Sequence, residues 1–378
     1  MKLLYVTDNG FAYKDGKYYY DTPNAAHISY LKNYFDEFII VARRNQYIDK
    51  YEQITGNISL TLVSKWNIIE LNRTITKLVQ KCDAVICYCN NGYFSAKAGK
   101  KENKVVISYI GGDPYELLIC RNNISGKILA PIARYMWKTR VRNSDYVHYC
   151  HEFFFDKYPT SGKRLACSGV NIVSDESVLQ RRIKKIDDST NGDKFVLGLI
   201  GYTKNKIKGI DRAIKAISEL GQNYYLEVVG RGEIEEQIQL AEQLHCSDRI
   251  KFKGILRAKD ILTWLDSVDI YVQPSRAEGL PRATIEAMSR GCPVVCSNAG
   301  ALSQIINNRF VFTQDSSDKL SKLISDISNS ETMRIEAIAN FNKAKEFEKS
   351  ERERKYNEFY TEIVDEIKKR KLTNNLPN

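Results

Sequence analysis

Short apolar runs rich in β-branched residues alternate with amphipathic stretches along almost the whole chain. The runs of the first half, each predicted to be a strand, are 3–6, 38–42, 59–63, 84–89, 105–108 and 145–149. Those of the second half are 195–201, 225–230, 249–254, 269–274, 292–297 and 309–312. The stretches between them carry apolar side chains at helical spacing, and strands that alternate with helices form parallel sheets. The pattern therefore predicts an α/β protein with two doubly wound parallel sheets.

The two series of strands are separated by a polar stretch, 169–193, in which apolar residues show little periodicity. We interpret it as an interdomain linker, because a chain of 378 residues is too long for one ordinary core. Residues 1–168 are then the first domain and residues 194–350 the second, each Rossmann-like, facing one another across a cleft. The charged segment 351–378 has a helical pattern, and we predict that it packs back on the first domain.

Most of the net charge of +11 lies in the first 170 residues. A basic surface suits nucleic acid, an anionic membrane or a phosphorylated substrate. No nucleic-acid-binding module is recognisable in the sequence, so we predict no nucleic-acid partner. The segment 127–142 interleaves large apolar residues with Lys and Arg. This mixture is typical of a helix at a membrane interface and equally of a core helix with a charged outer face.

The cysteines and histidines give no sign of a disulfide framework or a metal site. The nine cysteines are an odd number without CxxC pairs, and the four histidines form no HxxxH pair. We therefore predict free thiols in a reducing compartment and no metal. The N-terminal run meets an acid at Asp8, so we expect no signal peptide and no export. No apolar run has the length that a membrane span requires.

The stretch RAEGLPRATIEAMSRGCPVV, residues 276–295, carries the strongest candidate site. It follows a predicted strand, and Pro281 is well placed to begin a helix. A helix N-terminus at the carboxyl edge of a parallel sheet favours an anion, and Gly279 lets a ligand approach the backbone closely. Glu278 lies at the mouth and Glu286 deeper in the helix, so they suit two hydroxyl-bearing parts of one ligand rather than an acid–base pair. Taken alone, the pattern would equally fit a capped surface helix.

Two further strand-to-glycine turns fall at the same predicted edge. The first begins at Gly201 and leads through a cationic loop containing Lys206 to Lys208, which opens a helix. The second is Gly230-Arg231-Gly232. Lysines at a helix entrance can neutralise a diphosphate, although exposed loop lysines are usually solvated. The three turns together favour a phosphate-containing ligand more than any one of them does.

These motifs resemble the nucleotide-sugar domain of the family 4 retaining glycosyltransferases, which have the GT-B fold. The similarity covers most of residues 195–310, and its core is Glu278, seven residues, and Glu286 with the EAM-x-x-G-x-PV run that begins there. The first half resembles, more loosely, the branch that builds capsular and O-antigen polysaccharides. The resemblance implies that Glu286 binds the ribose hydroxyls, that Glu278 contacts the donor sugar and that Lys208 binds the diphosphate. The backbone that faces sugar and phosphate would be Gly279, Leu280, Pro281 and Arg282.

The sequence departs from the family pattern at the diphosphate site. Tyr202 stands where an arginine usually follows the first glycine. Lys204, Lys206 and Arg282 are the candidates to supply the missing charge.

It departs again on the acceptor and sugar side. Ile110 and Gly111 stand where many members carry a sugar-binding histidine, which makes Asp113 the candidate contact. The twin-glycine turn after the first strand is reduced to Asn9-Gly10, which stays a candidate on this side. Asp15-Gly16 predicts a hairpin insertion.

The resemblance implies a retaining, metal-independent hexosyltransferase without a cofactor, in which lysine and helix amides stabilise the leaving diphosphate. The donor would be a nucleotide-sugar, with UDP the first choice of nucleotide and GDP the second. The acceptor, a saccharide or a lipid-diphosphate-linked saccharide, would bind the basic first domain. The enzyme would act in the cytoplasm, peripherally at the inner face of the plasma membrane, in capsular polysaccharide or lipopolysaccharide synthesis. The alternatives are a nucleotide-sugar epimerase or phosphorylase on the same fold, and a catalytically silent relative that binds a sugar or nucleotide.

Overall fold

The structure, a computed structural model, describes residues 1–20, 22–44, 51–63, 67–121, 123–167, 170–188, 194–203, 206–313 and 318–374. The chain divides into two compact units. The first unit comprises Met1–Gly111, Pro131–Cys167 and Arg354–Asn378, and the second comprises Gly112–Ala130 and Ser168–Glu353. Residues 112–130 therefore group with the second unit, whereas the sequence placed them in the first domain.

The elements up to residue 167 are β1 (Lys2–Lys14), β2 (Lys17–Tyr20), α1 (Thr22–Leu31), β3 (Glu37–Arg44), β4 (Glu52–Ile54), β5 (Ile58–Leu62), α2 (Ile68–Val79), β6 (Ala84–Cys87), α3 (Gly92–Lys101), β7 (Val105–Ile110), α4 (Pro114–Ile119), α5 (Ile124–Arg142), β8 (Tyr146–Tyr149) and β9 (Lys163–Ala166).

The later elements are α6 (Glu176–Asp187), β10 (Phe195–Ile200), α7 (Ile210–Glu219), β11 (Tyr224–Val229), α8 (Glu235–Gln243), β12 (Ile250–Gly254), α9 (Ala258–Ser267), β13 (Ile270–Gln273), α10 (Arg282–Ser289), β14 (Val294–Ser297), α11 (Leu302–Ile305), β15 (Val311–Phe312), α12 (Lys319–Ile327), α13 (Ser330–Ala344) and α14 (Lys349–Asn374).

The first unit contains a sheet whose parallel strands lie in the order β5-β3-β1-β6-β7-β8-β9. An antiparallel edge is added by β2, which pairs with the end of β1, and by β4, which pairs with β2. Strand β6 is buried at every position and β7 at nearly every one, as parallel strands covered by helices require. The direction of winding reverses between the neighbouring strands β1 and β6.

The second unit contains a parallel sheet in the order β12-β11-β10-β13-β14-β15. Its winding reverses between β10 and β13. Gly198 lies at this reversal, and a side chain there would collide with Val268 and Trp264, so the glycine lets α9 pack directly on the strand. Every predicted strand is present in the two sheets. The predicted doubly wound architecture is therefore confirmed.

Strand β1 runs past the turn that the sequence predicted at Asn9 and Gly10. It continues to Lys14, and its pairing with β3 shifts register between Val6 and Gly10. The turn prediction was wrong because the buried side chains of Phe11 and Ala12 extend the apolar strand. The hairpin predicted at Asp15-Gly16 is confirmed, since these residues have φ of 50° and 75°, as a type I′ turn requires.

The segment predicted as a linker contains helix α6. Its buried positions have helical spacing and are Val178, Leu179, Arg182 and Ile186. The buried Arg182 guanidinium donates to the main-chain oxygens of Leu265 and Val268, which ties α6 to the second unit. The linker prediction was therefore wrong for residues 176–187, because an arginine at a buried position interrupted the apolar stripe.

From Arg354 onward, helix α14 packs on the first unit. The hydroxyls of Tyr30 and Tyr34 donate to Asn357 Oδ1 at 2.9 and 2.6 Å. Near its end the helix is held by an ion pair of 3.0 Å between Arg370 and Asp145. Its fully buried apolar residues are Tyr360, Ile363 and Ile367. The helix is thus part of the first unit's core.

All nine cysteines are free thiols, as predicted, and seven of them are buried. Burial raises the pKa of the Cys82, Cys87 and Cys292 thiols, so these residues stay protonated and act as small apolar side chains.

Candidate functional site

Three loops meet at the carboxyl edge of the second unit's sheet. They follow β10 (residues 201–209), β11 (230–234) and β13 (274–281). The first and third lie beside the reversal of strand order between β10 and β13, which is where doubly wound sheets bind ligands. The structure therefore gathers at one edge the three glycine turns that the sequence singled out.

Two glycines allow these loops to touch. A side-chain carbon on Gly230 would overlap the carbonyl oxygen of Gly201, so the loops after β10 and β11 meet backbone to backbone. A side-chain carbon on Gly209, whose φ is 70°, would likewise overlap the carbonyl oxygen of Pro274. This contact joins the loop after β10 to the loop after β13. No other residue type fits at these contacts, because each Cβ would occupy the space of a main-chain atom.

The carboxylate of Glu278 is the centre of the site. Its Oε1 accepts from Lys208 Nζ at 2.6 Å, from Ser275 Oγ at 2.8 Å and from Gln273 Nε2 at 3.2 Å. The Glu278 side chain is only 5% exposed, whereas that of Lys208 is 30% exposed. Such a buried, multiply bonded carboxylate has a fixed orientation, and the ammonium beside it is positioned to meet an anion from solvent.

A chain of hydrogen bonds beneath Glu278 holds this arrangement. The Tyr271 hydroxyl donates to Gln273 Oε1 at 2.8 Å and accepts from the main-chain nitrogen of Ile200 at 3.3 Å. Ser297 Oγ donates to the main-chain oxygen of Ser275 at 2.6 Å. Burial raises the pKa of Tyr271 well above its ordinary value, so its hydroxyl keeps the proton that it donates. The chain links the ends of β10, β13 and β14 to one carboxylate.

Sequence reasoning missed Tyr271, Gln273 and Ser275. A signal was present, because these polar or hydroxyl-bearing residues alternate in IYVQPS, at the end of a strand that is buried on both faces. Buried polar side chains need partners, and their alternation places them on one side of the strand. The pattern could have indicated a polar network reaching the edge of the sheet.

A second pair that the sequence did not reveal anchors the loop before α7. Arg276 forms a two-pronged ion pair with Asp211, with bonds of 2.7 and 2.6 Å. It also donates from its main-chain nitrogen to the oxygen of Ile207 at 2.7 Å and from its guanidinium to the oxygen of Lys206 at 2.6 Å. Since Lys208 follows directly, these bonds fix the stem from which its ammonium reaches Glu278.

Helix α10 begins at Arg282, one residue later than predicted, with Pro281 at the position before it. The main-chain nitrogen of Arg282 donates to the oxygen of Leu280 at 2.9 Å, which closes a tight turn after Gly279. One turn further, Glu286 is half-buried, and burial raises the pKa of its carboxyl while Arg282 opposes the rise. Glu278 therefore lies in the loop before α10 and Glu286 within the helix, as predicted, and their separate contacts with one ligand stay a prediction.

Tyr202 lies beside a cation that the sequence did not propose as its substitute. The guanidinium of Arg231 is 5.7 Å from the centre of the Tyr202 ring. The main-chain oxygen of Arg231 accepts from the nitrogen and the hydroxyl of Thr203 at 3.0 and 3.1 Å. Gly232, with a φ of 122°, completes this turn. Of the three cations proposed earlier, Lys204 lies outside the described residues.

The remaining predicted residues are placed as follows. Asp113 is buried and caps α4, where its Oδ1 accepts from the main-chain nitrogen of Tyr115 at 2.8 Å. Gly10 lies in β1 of the first unit, paired with Arg43 of β3. The backbone of Asn9 is part of the same strand. The proposed contacts of these three residues with acceptor or sugar stay predictions.

The carboxyl edge of the first unit also carries polar groups beside its reversal of strand order. Asp8 accepts from the main-chain nitrogens of Asn90 and Asn91 at 3.0 and 2.7 Å, and burial raises its pKa. Trp137 donates its indole proton to Asn90 Oδ1 at 2.9 Å. The fully buried guanidinium of Arg140 donates to main-chain oxygens, among them that of Tyr109 at 2.8 Å. Asp8 and Arg140 thus bind main-chain groups of the protein itself, and Trp137 binds a side-chain amide.

Among the described residues, no group of His, Cys, Asp and Glu side chains is arranged to hold a metal ion. None of the described helices combines the length and the apolar character that crossing a membrane requires.

Two doubly wound parallel sheets, one with a lysine–glutamate pair at its order reversal, define a protein of the GT-B class. Residues 180–347 match the family model described as glycosyl transferases group 1, so the chain carries a group 1 glycosyltransferase domain.

Known proteins that are similar to this chain agree with that class. It is 33% identical over 257 residues to protein CapJ of Staphylococcus aureus, which covers 66% of this chain and 64% of CapJ. It is 30% identical over 151 residues to the capsular polysaccharide biosynthesis glycosyltransferase CapM of the same species, covering 37% of this chain and 40% of CapM. The chain thus spans less than two thirds of the length of these relatives.

The solved structure of Anabaena HepE in complex with UDP and glucose shows the same fold. It superposes with a TM-score of 0.61 at 16% identity, and the match covers 100% of each chain. The GT-B fold that the resemblance implied is confirmed.

Proposed function

We propose that this protein is a family 4 retaining glycosyltransferase, a metal-independent hexosyltransferase that moves a sugar from a nucleotide-sugar to a saccharide acceptor. The observation that carries the proposal is the Lys208–Glu278 pair at the order reversal of a group 1 glycosyltransferase domain. HepE is described with UDP and glucose, and CapM as an enzyme of capsular polysaccharide synthesis. These two descriptions support a UDP-sugar donor and a role in capsular polysaccharide or lipopolysaccharide biosynthesis.

Each residue of the site has a part in the proposal. Lys208 binds the diphosphate, Glu278 contacts the donor sugar and Glu286 binds the ribose hydroxyls. The exposed Arg231 beside Tyr202 supplies the charge that an arginine at position 202 would have given. The other donor contacts are Gly201, Lys206, Gly230, Gly232 and the backbone of Gly279, Leu280, Pro281 and Arg282.

The chemical step needs stabilisation of the leaving group more than a general base. The bond from the anomeric carbon to the diphosphate oxygen breaks, and the bond to the acceptor oxygen forms on the same face of the sugar. The departing phosphate oxygen takes the acceptor's proton. Lys208 and the main-chain amides of Gly279 and Leu280 neutralise the developing charge, since Pro281 has no N–H and that of Arg282 donates to the oxygen of Leu280. Preorganised donors of this kind contribute about 3–4 kcal/mol each. No cofactor or metal enters this scheme.

The acceptor is proposed to be a saccharide or a lipid-diphosphate-linked saccharide bound by the first domain, with Asn9 and Gly10 as candidate contacts. Asp113, which groups with the second unit, is the candidate contact to the sugar in place of the family's histidine. The basic character of the first 170 residues supports an anionic acceptor. The enzyme would then work in the cytoplasm at the inner face of the plasma membrane.

Calorimetric titration with UDP, GDP and ADP tests the donor site. We expect micromolar binding of one nucleotide, UDP first, and a loss of at least tenfold in Glu286→Ala, or about 1.4 kcal/mol. The control Glu236→Ala changes an exposed glutamate of α8 and should bind as the wild type does. If none of the three nucleotides binds, the proposal fails.

The pH dependence of this binding gives an independent check. The ionised Glu286 accepts hydrogen bonds from ribose hydroxyls, so binding should weaken as the pH falls through its raised pKa. This loss should occur at a higher pH than an exposed glutamate, with its ordinary value of 4.5, would show. Glu286→Gln should keep only the titration of the nucleotide itself.

Donor turnover separates the transferase from a catalytically silent relative. The silent alternative rests on Tyr202 and Ile110, which replace the family's arginine and histidine. A protein that binds UDP but neither transfers nor slowly hydrolyses any UDP-sugar would favour that alternative. Epimerisation of the donor without transfer would favour an epimerase.

A further inference from the structure

Helix α5 is apolar on two opposite sides. One side packs into the protein through Ala130, Ala133 and Val141, each at most 5% exposed. The other side presents to solvent Ile124, Ile128, Ile132 and Tyr135, which are 79%, 60%, 50% and 62% exposed. Spacings of four, four and three residues place these four side chains on one face of the helix. We name this face the α5 stripe.

The stripe's position follows from α5 alone, because all four residues belong to one continuous helix. Surface helices normally direct their apolar face inward and polar residues outward. Single exposed apolar side chains need no explanation, but a contiguous row of large ones marks a surface that meets a membrane or a partner. The α5 stripe is such a row.

The charges on the chain segment that carries the stripe are of one sign. From residue 117 to residue 144 the sequence contains no Asp or Glu. It contains Arg121, Lys127, Arg134, Lys138, Arg140 and Arg142. Lys127 and Lys138 each lie three residues from a stripe residue, Ile124 or Tyr135, and so flank the stripe on the same side of the helix.

We propose that the α5 stripe is the surface by which this protein docks on an anionic phospholipid bilayer. The isoleucines and Tyr135 enter the boundary between headgroups and acyl chains, while Lys127 and Lys138 lie among the phosphates. An amphipathic helix with cations beside a large apolar face binds anionic membranes in this way. A protein interface fits less well, because lysine is depleted from such interfaces and an acid-free row gives a partner copy no opposite charge.

This inference deepens the proposed function, since a lipid-linked acceptor would be met at the bilayer surface. It does not depend on donor chemistry, so the two can fail separately. The lipid is identified by its charge and not by a pocket. Phosphatidylglycerol vesicles are therefore a sufficient probe.

Co-sedimentation with vesicles of equal parts phosphatidylglycerol and phosphatidylcholine tests the proposal on the full chain. We expect the wild type to bind these vesicles and to bind pure phosphatidylcholine at least roughly tenfold less. The double variant Ile128→Ser/Ile132→Ser keeps every charge and should bind the mixed vesicles at least roughly tenfold less than the wild type. Its thermal unfolding should match that of the wild type, because both side chains are exposed.

A matched control removes exposed isoleucines elsewhere. Ile335 and Ile338 of α13 are 58% and 36% exposed, and Ile335→Ser/Ile338→Ser should bind vesicles as the wild type does. For charge, Lys127→Gln/Lys138→Gln should weaken vesicle binding more than Lys81→Gln/Lys101→Gln, which removes the same charge from two exposed positions outside α5. Added salt should weaken wild-type binding without abolishing it, because the apolar part is not screened.

Three outcomes would overturn the proposal. The first is a wild type that does not bind the mixed vesicles, and the second is an α5 serine variant that binds like the wild type. The third is a dimer in solution that the serine variant disrupts, without vesicle binding, which would make the stripe an interface between copies. UDP titration of the same variants keeps the donor site separate: UDP binding without vesicle binding refutes docking alone, and the reverse refutes the proposed function alone.

Discussion

The two sheets have the same reversal of strand order, but the loops at their carboxyl edges differ. In the second unit, glycines bring three loops into backbone contact, and Lys208 and Glu278 meet above them at 2.6 Å. In the first unit, β1 continues through the corresponding position into a hairpin, and the polar groups there bind main-chain atoms. Asp8 accepts from two amide nitrogens, and Arg140 donates to carbonyl oxygens.

Topology therefore provides the place for a ligand, and the chemistry of the loops decides whether a ligand can bind there. A carboxylate bonded to two amides of its own chain stabilises the loop that it closes. A carboxylate bonded to a partly exposed lysine leaves that lysine able to bind an incoming anion. Four substitutions test this contrast, and their expected effects decrease in the order Gly209, Lys208, Asp8 and Tyr271.

Gly209→Ala should be the most damaging change. The residue has a φ of 70° and its new methyl group would overlap the carbonyl oxygen of Pro274, so we expect a loss of about 4 kcal/mol or more in the free energy of unfolding. Gly16→Ala is the matched control, since Gly16 has a φ of 75° with nothing within 4 Å. It should lose only about 1 kcal/mol, from backbone strain. Urea unfolding measures both, and equal losses would show that the loop contact at Gly209 is unimportant.

Lys208→Ala should slow sugar transfer by about 10²–10³-fold, because the leaving diphosphate loses a preorganised cation. It should also lower the free energy of unfolding by about 1–3 kcal/mol, because the buried Glu278 carboxylate keeps only its bonds to Ser275 and Gln273. Lys206→Ala, two residues away, should slow transfer much less. Initial rates with the UDP-sugar identified by calorimetry give the comparison. Equal transfer rates for Lys208→Ala and Lys206→Ala would show that Lys208 is not the main contact of the diphosphate.

Asp8→Asn should destabilise the first unit by about 1–3 kcal/mol, because an amide can accept only one of the two main-chain bonds and turns a donor toward the other. UDP affinity should be unchanged, since the second unit is untouched. Asp15→Asn in the exposed hairpin serves as the control. Thermal unfolding and UDP titration are read on the same samples, and a tenfold weaker UDP affinity would contradict the separation of the two edges.

Tyr271→Phe should have the smallest effect, about 1 kcal/mol on unfolding, through loss of the hydroxyl between Ile200 and Gln273. It should also slow transfer severalfold, because Gln273 then orients Glu278 less firmly. Tyr149→Phe removes a comparable buried hydroxyl from the first unit, where it donates to the oxygen of Tyr158 at 2.6 Å. That control should lose stability without any change in transfer rate. If neither variant changes the transfer rate, the hydrogen bonds from Tyr271 through Gln273 to Glu278 contribute to stability alone.

The sequence predicted those strands that carry a continuous apolar run, because parallel strands are buried on both faces. It indicated β2 only through the Asp15-Gly16 turn, and it missed β4 and β9. The residues of these three strands are largely exposed or half-exposed, so their sequences carry no buried apolar run that would mark a strand. It also missed α6, where Arg182 occupies a buried position that an apolar residue usually fills. In each case the missing signal was hydrophobic contrast.

At the site, sequence spacing found the glutamates and the glycine turns because they lie in short local motifs. Contacts between distant segments could not be found in this way. The Arg276–Asp211 pair spans 65 residues, and Arg231 approaches Tyr202 only because β10 and β11 are adjacent strands. Spacing within one loop carries no information about which strand lies beside it.

Helix α14 makes the first unit discontinuous along the chain. The first unit includes residues from Arg354 onward, whereas the second ends at Glu353. The first unit therefore closes only when Asn357 reaches Tyr30 and Tyr34, which lie 327 and 323 residues earlier in the chain. Contacts of such long sequence separation form slowly, so we expect the aromatic surface under α14 to be the last part of this unit to be covered and the part most prone to aggregation during folding.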